Sequence, residues 1–157
     1  MSLFDLTGHV AIVTGGNGGI GLGMALGLAK AGASLAIVGR NADKNKIAIE
    51  KLQGMGATAI AIEKDITEEL AGTDVVTKVE DRFGRIDILI NNAGSNIRKR
   101  PEELSLNDFR WVQDTNLTSA FVFSQAVYPK FKTIGKGKII NIGKGKIINI
   151  GSMYSIF

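Results

Sequence analysis

The 157-residue sequence contains no cysteine and a single histidine, His9. Disulfides, thiolate nucleophiles and thiolate zinc sites are therefore excluded, and one imidazole is too few for a histidine-based metal centre. Redox chemistry on this chain would have to use a borrowed cofactor. Proline occurs twice, at Pro101 and Pro129, and no Pro/Ser-rich linker divides the chain. With 45% hydrophobic residues it can build one core, so a single domain over residues 1–157 is expected. No apolar run has the length of a membrane span, and the amino terminus has neither the basic nor the apolar region of a secretion signal. A cytoplasmic protein with no membrane partner is the expectation.

Excess charge is also scarce. The net charge is +4, and two of the lysines, Lys144 and Lys146, belong to a repeated segment; without them it would be +2. Arg98-Lys99-Arg100 is the only other basic cluster, and no aromatics are interleaved with it, so nucleic acid is not an expected partner. A solvated loop, or a loop near an anionic substrate, accounts for it.

What is present begins with the repeat. Lys136-Gly-Lys-Ile-Ile-Asn-Ile-Gly143 is followed at once by an identical octapeptide, Lys144 to Gly151. Each copy reads as one buried strand, an apolar run bounded by glycines. Because eight is even, sliding by one repeat keeps every side chain on its original face, and patterning excludes neither copy. The helix-to-strand connection keeps its shorter length if the first copy, Ile139–Ile142, takes the place. The second, Ile147–Ile150, is then expected to cover its edge, within the chain or across a homodimer.

Upstream, Val/Ile-rich runs alternate with segments of helical period, the pattern of a parallel sheet covered on both faces. Strands are predicted at His9–Thr14, Ser34–Gly39, Ala57–Glu63 and Ile86–Asn91, with one or both repeats as the last. Helices are predicted at about Gly19–Ala31, Asp43–Met55, Glu68–Phe83 and Ser105–Phe131. Right-handed crossovers and a glycine-rich turn after the first strand give an α/β, Rossmann-type doubly wound parallel sheet of order 3-2-1-4-5. Its fifth strand is duplicated.

Thr14-Gly-Gly-Asn-Gly-Gly-Ile-Gly21 links the first strand to the first helix, where free N–H groups and the positive helix end can hold a pyrophosphate. Thr14, Gly15, Asn17, Gly19, Ile20 and Gly21 are the candidate cofactor residues of this turn. The TGxxxGIG spacing, with Asn91-Asn-Ala-Gly94 at the end of the fourth predicted strand, resembles the short-chain dehydrogenase/reductase family from about Leu6 to Ser152. The resemblance implies that Asn91, Ala93 and Gly94 line the cofactor crevice and brace the sheet, that Asp65-Ile66 contacts the adenine, and that Asn116 supports a proton relay. It likewise assigns Ser152, in Asn149-Ile-Gly-Ser152, the hydrogen bond to the substrate oxygen.

The family's Tyr-x-x-x-Lys, its general acid/base and ribose-holding lysine, would follow beyond Phe157, so a truncated, catalytically inactive chain is expected. Tyr154 comes too soon to replace that tyrosine. Tyr128-Pro-Lys-Phe-Lys132 fits the string, but its helix runs antiparallel to the strands and Pro129 should disturb the spacing, so no catalytic role is expected there. At the end of the second strand, Gly39 offers no carboxylate to the ribose and Arg40 can pair with a 2′-phosphate, so NADP(H) is expected over NAD(H). Asn91 to Arg98, Pro101 to Leu104 and Asn149 to Ser152 resemble the branch acting on sugar acids, such as gluconate 5-dehydrogenases and deoxygluconate dehydrogenases. A nonenzymatic Rossmann fragment, engineered or rearranged and assembling through its spare strand, is the alternative. Trp111, Phe121 and Phe123 are expected in the core, and His9 near solvent.

Overall fold

Along each apolar run successive side chains point to opposite faces, and both faces are buried. Val10, Ile12, Ala36, Val38 and Leu89 pack into one core cluster with Val75, Val79, Phe123 and Val127. Ala11, Val13, Leu35, Ile37, Ile88 and Ile90 pack into a second with Ala25 and Leu52. This two-sided burial is why the strands lack polar alternation. The computed structural model describes residues 4–141. In it β1 (Val10–Thr14), β2 (Ser34–Gly39), β3 (Ala59–Glu63), β4 (Ile88–Asn91) and β5 (Lys138–Asn141) form one sheet of order β3-β2-β1-β4-β5. Every neighbouring pair is parallel, the Rossmann-type order expected. Helices α1 (Gly19–Lys30) and α2 (Ala42–Gly54) supply Ala25 and Leu52 to one face, and α3 (Ala71–Phe83) and α5 (Ser119–Ile134) cover the other.

Two helical expectations are corrected. The single helix predicted over Ser105–Phe131 is α4 (Leu106–Gln113), a π-helical segment at Asp114–Thr118, and then α5. Asn116, inside the wide turn, donates to the Val112 carbonyl at 2.8 Å and to the Ser95 carbonyl at 2.7 Å. Its side chain thus bonds the preceding turn while reaching out of the helix, a local widening of a kind frequent at functional sites. Pro129 does not disturb α5, which runs through it to Ile134. Phe123 is fully buried as expected, but Phe121 is 63% exposed.

The first copy of the repeat occupies the fifth place: Lys138 pairs with Ile88 and Asn141 with Asn91. The second copy, with Ser152 and Tyr154, lies outside the described residues, and so does its predicted edge pairing. Asn91 Nδ2 donates to Asn141 Oδ1 at 2.8 Å, which offers a chemical test of register. Asn141→Ala should lower the free energy of unfolding in urea by about 1 kcal/mol, the worth of one such bond. Asn149→Ala is the matched comparison, and a loss found there instead would put the second copy in the sheet.

Candidate functional site

The carboxyl ends of β1, β2 and β4 converge where the strand order reverses, the place at which open α/β sheets leave a crevice. Gly15 continues β1 by donating to the Val38 carbonyl at 2.8 Å, then turns the chain with φ 63°. Side chains are also shut out by contact. A Cβ on Gly15 would lie 2.9 Å from Ala93 Cα, and one on Gly21 would run into the Asn92 amide and the Gly15 carbonyl. α1 begins after Gly18, with no side-chain cap and no acidic residue in its first turn. Its leading N–H groups are therefore available to an anion.

Behind this surface the turn is bolted to the end of β4. The Thr14 hydroxyl accepts from the backbone N–H groups of Asn92 (3.0 Å) and Ala93 (3.1 Å). Asn92 Nδ2 returns bonds to the carbonyls of Thr14 (3.0 Å) and Gly15 (3.1 Å). Asn91 is buried, its amide directed to Asn141, to the Ser124 hydroxyl at 3.2 Å and to the Ala120 carbonyl at 3.3 Å.

The crevice has a volume of about 480 Å³ and is lined by Gly15, Asn17, Gly19, Ile20, Gly21, Arg40, Asp65, Ile66, Ala93 and Gly94. Ten residues predicted for the cofactor thus come together. Thr14 and Asn91 are not among the lining residues; both brace from behind, which for Asn91 is the sheet-bracing half of what was expected. Asn116 does not line it either: besides its two donated bonds its oxygen accepts from Ser95 N at 3.1 Å, so the side chain ties the β4 loop to the helix. Sequence reasoning missed Lys44, Thr115 and Asn45. The first two line the crevice; the third is buried beneath its edge and bonds Asn17.

Tyr128 and Lys132 are remote from this site. α5 starts beside Asn91, through Ala120 and Ser124, and ends beside the start of β5, whose Lys138 pairs with Ile88 at the opposite end of β4. Tyr128 sits on that far part, 63% exposed. The Arg98–Arg100 loop is exposed, and Lys99 is spent on Asp108 at 2.9 Å. That ion pair, with the Ser105 N–H and hydroxyl of the α4 capping box, holds the Asp108 carboxyl down at about 2.

At the β2 end, Arg40 Nη1 lies 3.4 Å from Asp65 Oδ2. Burial pushes the Asp65 carboxyl up, but the Thr67 N–H and hydroxyl and the Arg40 charge outweigh it and keep the group below its ordinary value. Lys64 is likewise answered, by Glu68 at 2.6 Å and Asp74 at 2.8 Å.

The family model described as short chain dehydrogenase matches residues 9–156. The chain belongs to the short-chain dehydrogenase family. It is 41% identical over 139 residues to a gluconate 5-dehydrogenase of Gluconobacter oxydans, covering 88% of this chain and 54% of that protein. It is 38% identical over 144 residues to a 2-dehydro-3-deoxy-D-gluconate 5-dehydrogenase of Dickeya dadantii, covering 90% of this chain and 55% of the relative. Among solved structures, a 7α-hydroxysteroid dehydrogenase complexed with NADH and 7-oxo glycochenodeoxycholic acid superposes with a TM-score of 0.87 at 34% identity, over 95% of this chain and 58% of that one. The chain spans about half the length of the relatives it matches.

These findings overturn the expected preference for NADP(H). The solved relative carries NADH. In this chain, moreover, the Asp65 carboxylate lies 3.4 Å from Arg40 Nη1, where it would compete with a 2′-phosphate for the guanidinium. The expectation treated Arg40 by its neighbours in sequence, and its partner is 25 residues away. Among the described residues no helix is long and apolar enough to cross a membrane.

Proposed function

We propose that this chain is the dinucleotide-binding part of an NAD(H)-dependent oxidoreductase that interconverts an alcohol and a carbonyl, with a sugar acid as its substrate class. The observation that carries the reading is the crevice itself. Glycines that tolerate no side chain open onto an uncapped helix N-terminus at the carboxyl edge of a parallel sheet. The NADH of the solved relative and the sugar acids in the names of two others support the choice of cofactor and substrate. In this reading Gly15, Gly19, Ile20 and Gly21 hold the pyrophosphate, Asp65 and Ile66 flank the adenine, and Ala93 and Gly94 run along the nicotinamide. When bound, the nicotinamide supplies or takes the hydride.

The 157 residues alone are proposed to bind without turning over. Ser152 follows Asn149 by three residues but Asn141 by eleven, and Asn141 is the one beside Asn91. No Tyr-x-x-x-Lys pair within the sequence faces the crevice, since Tyr128 and Lys132 lie at the other end of the sheet. Proton transfer to the substrate oxygen then lacks a donor. The purified chain should bind NADH saturably in a calorimetric titration. The same preparation should reduce no NAD⁺ above background with gluconate. Steady turnover lost on Tyr128→Phe would contradict the geometry.

A further inference from the structure

At the β2 end of the crevice the amide orientations are dictated by one carbonyl. The Gly39 oxygen can only accept, so the Asn45 group 2.8 Å from it is the NH₂, and the Asn45 oxygen faces Asn17 at 2.7 Å. Asn17 answers with its own NH₂. Its oxygen is thereby left as an unspent acceptor on a residue that lines the crevice. Asn45 is 3% exposed, and a buried amide is tolerated only when its polar atoms are paired. Both bonds it makes are directed at this corner.

We propose that Asn17, held in this orientation by Asn45 as a positioning residue, reads the adenosine ribose by accepting a hydrogen bond from its free 2′-hydroxyl. The inference rests on the dinucleotide reading of the crevice. A hydroxyl has a hydrogen to give to an amide oxygen. A 2′-phosphate needs donors instead, and one of the two Asn17 N–H groups is already given to Asn45. Gly39 bars the other solution, a carboxylate from β2. A Cβ there would run into the Asn17 amide and lie 2.8 Å from the Asn45 oxygen, so an acidic residue at 39 and the amide pair exclude each other. Arg40 and Lys64 are both paired with carboxylates; Lys44 lines the same end with no ion pair among the described residues.

The test is calorimetric titration of the 157-residue chain and its variants with NADH and with NADPH. Asn17→Ala should weaken NADH on the order of three- to tenfold, the value of one neutral hydrogen bond, and NADPH by less than about twofold. Asn45→Ala should move the ratio of the two affinities the same way, and the double variant no further, because the two residues act as one unit. Should Asn45→Ala fail to fold after leaving the Gly39 carbonyl with only the Lys64 N–H at 3.4 Å, Asn17→Ala decides alone, since it leaves the Asn45 oxygen without its partner but keeps the Asn45–Gly39 bond. An unchanged ratio with NADH binding intact would overturn the inference and leave the dinucleotide reading standing. So would a preference for NADPH that Lys44→Ala abolishes, which would mark a phosphate site. No binding of either dinucleotide by the folded chain would overturn both.

Discussion

Gly21→Ala is expected to weaken NADH binding on the order of 10- to 100-fold, whereas Gly23→Ala, two residues along the same helix, leaves it unchanged. The substitutions are chemically identical and both favour the helix by intrinsic propensity. They differ in what the new methyl meets. At Gly21 it runs into the Asn92 side chain and the Gly15 carbonyl, while at Gly23 nothing lies within 4 Å. Relief at Gly21 requires α1 or the turn to move, and overpacking of this kind costs about 1–3 kcal/mol. The displaced atoms are the N–H donors of the crevice, so the cost appears in affinity. Equal affinities of the two variants, both folded by circular dichroism, would show that the close approach of α1 to Asn92 has no part in binding.

The largest expected loss of stability is at a residue far from the crevice. Asp87 is 3% exposed and accepts from Val10 N at 2.9 Å and from Arg85 Nε and Nη2 at 2.8 and 2.6 Å, which fastens the start of β1 to β4. Asp87→Ala should cost about 2–4 kcal/mol in urea denaturation, less than a fully buried pair because the Arg85 side chain is 40% exposed. The effect carries a pH signature. Burial pushes the Asp87 carboxyl up, yet the Arg85 and Val10 bonds, with the charges of Arg85 and His9, bring it below its ordinary 3.8. A depressed folded value stabilises above the unfolded value and stops doing so as pH falls through the folded one. The gap between wild type and Asp87→Ala should therefore stay level from neutrality to about pH 4 and narrow below. A gap that widens in acid would reverse the assignment.

Much of the sheet was legible because its signals are local. Ser34–Gly39 is read to the residue, since both faces of β2 are buried and its apolar run is unbroken. β3 and β4 begin two residues later than predicted, at Ala59 and Ile88. In the second case Ile86 is fully buried but belongs to the approach, where Asp87 is engaged. The glycine-rich turn was equally plain, because a strand, a turn and a helix start are adjacent in the chain. What escaped depends on partners distant in sequence. Asn45 looks like a solvated position on a polar helix until Asn17 and Gly39 are brought to it. Asn116 was expected in a proton relay by resemblance alone, and its bonds to Ser95, 21 residues away, accompany a π-helical segment no periodicity announces. Arg40 was misjudged for the same reason.

The account stands on one claim, that the crevice between the glycine-rich turn and the ends of β2 and β4 receives a nicotinamide dinucleotide. The direct measurement is an NMR titration of the ¹⁵N-labelled 157-residue chain with NADH, following backbone amides. Shifts should concentrate at Gly15, Asn17, Gly19, Ile20, Gly21, Arg40, Asp65, Ile66, Ala93 and Gly94, with Tyr128 and Lys132 unmoved. Perturbations gathered on the far half of α5, or none at saturating NADH in a folded sample, would contradict it.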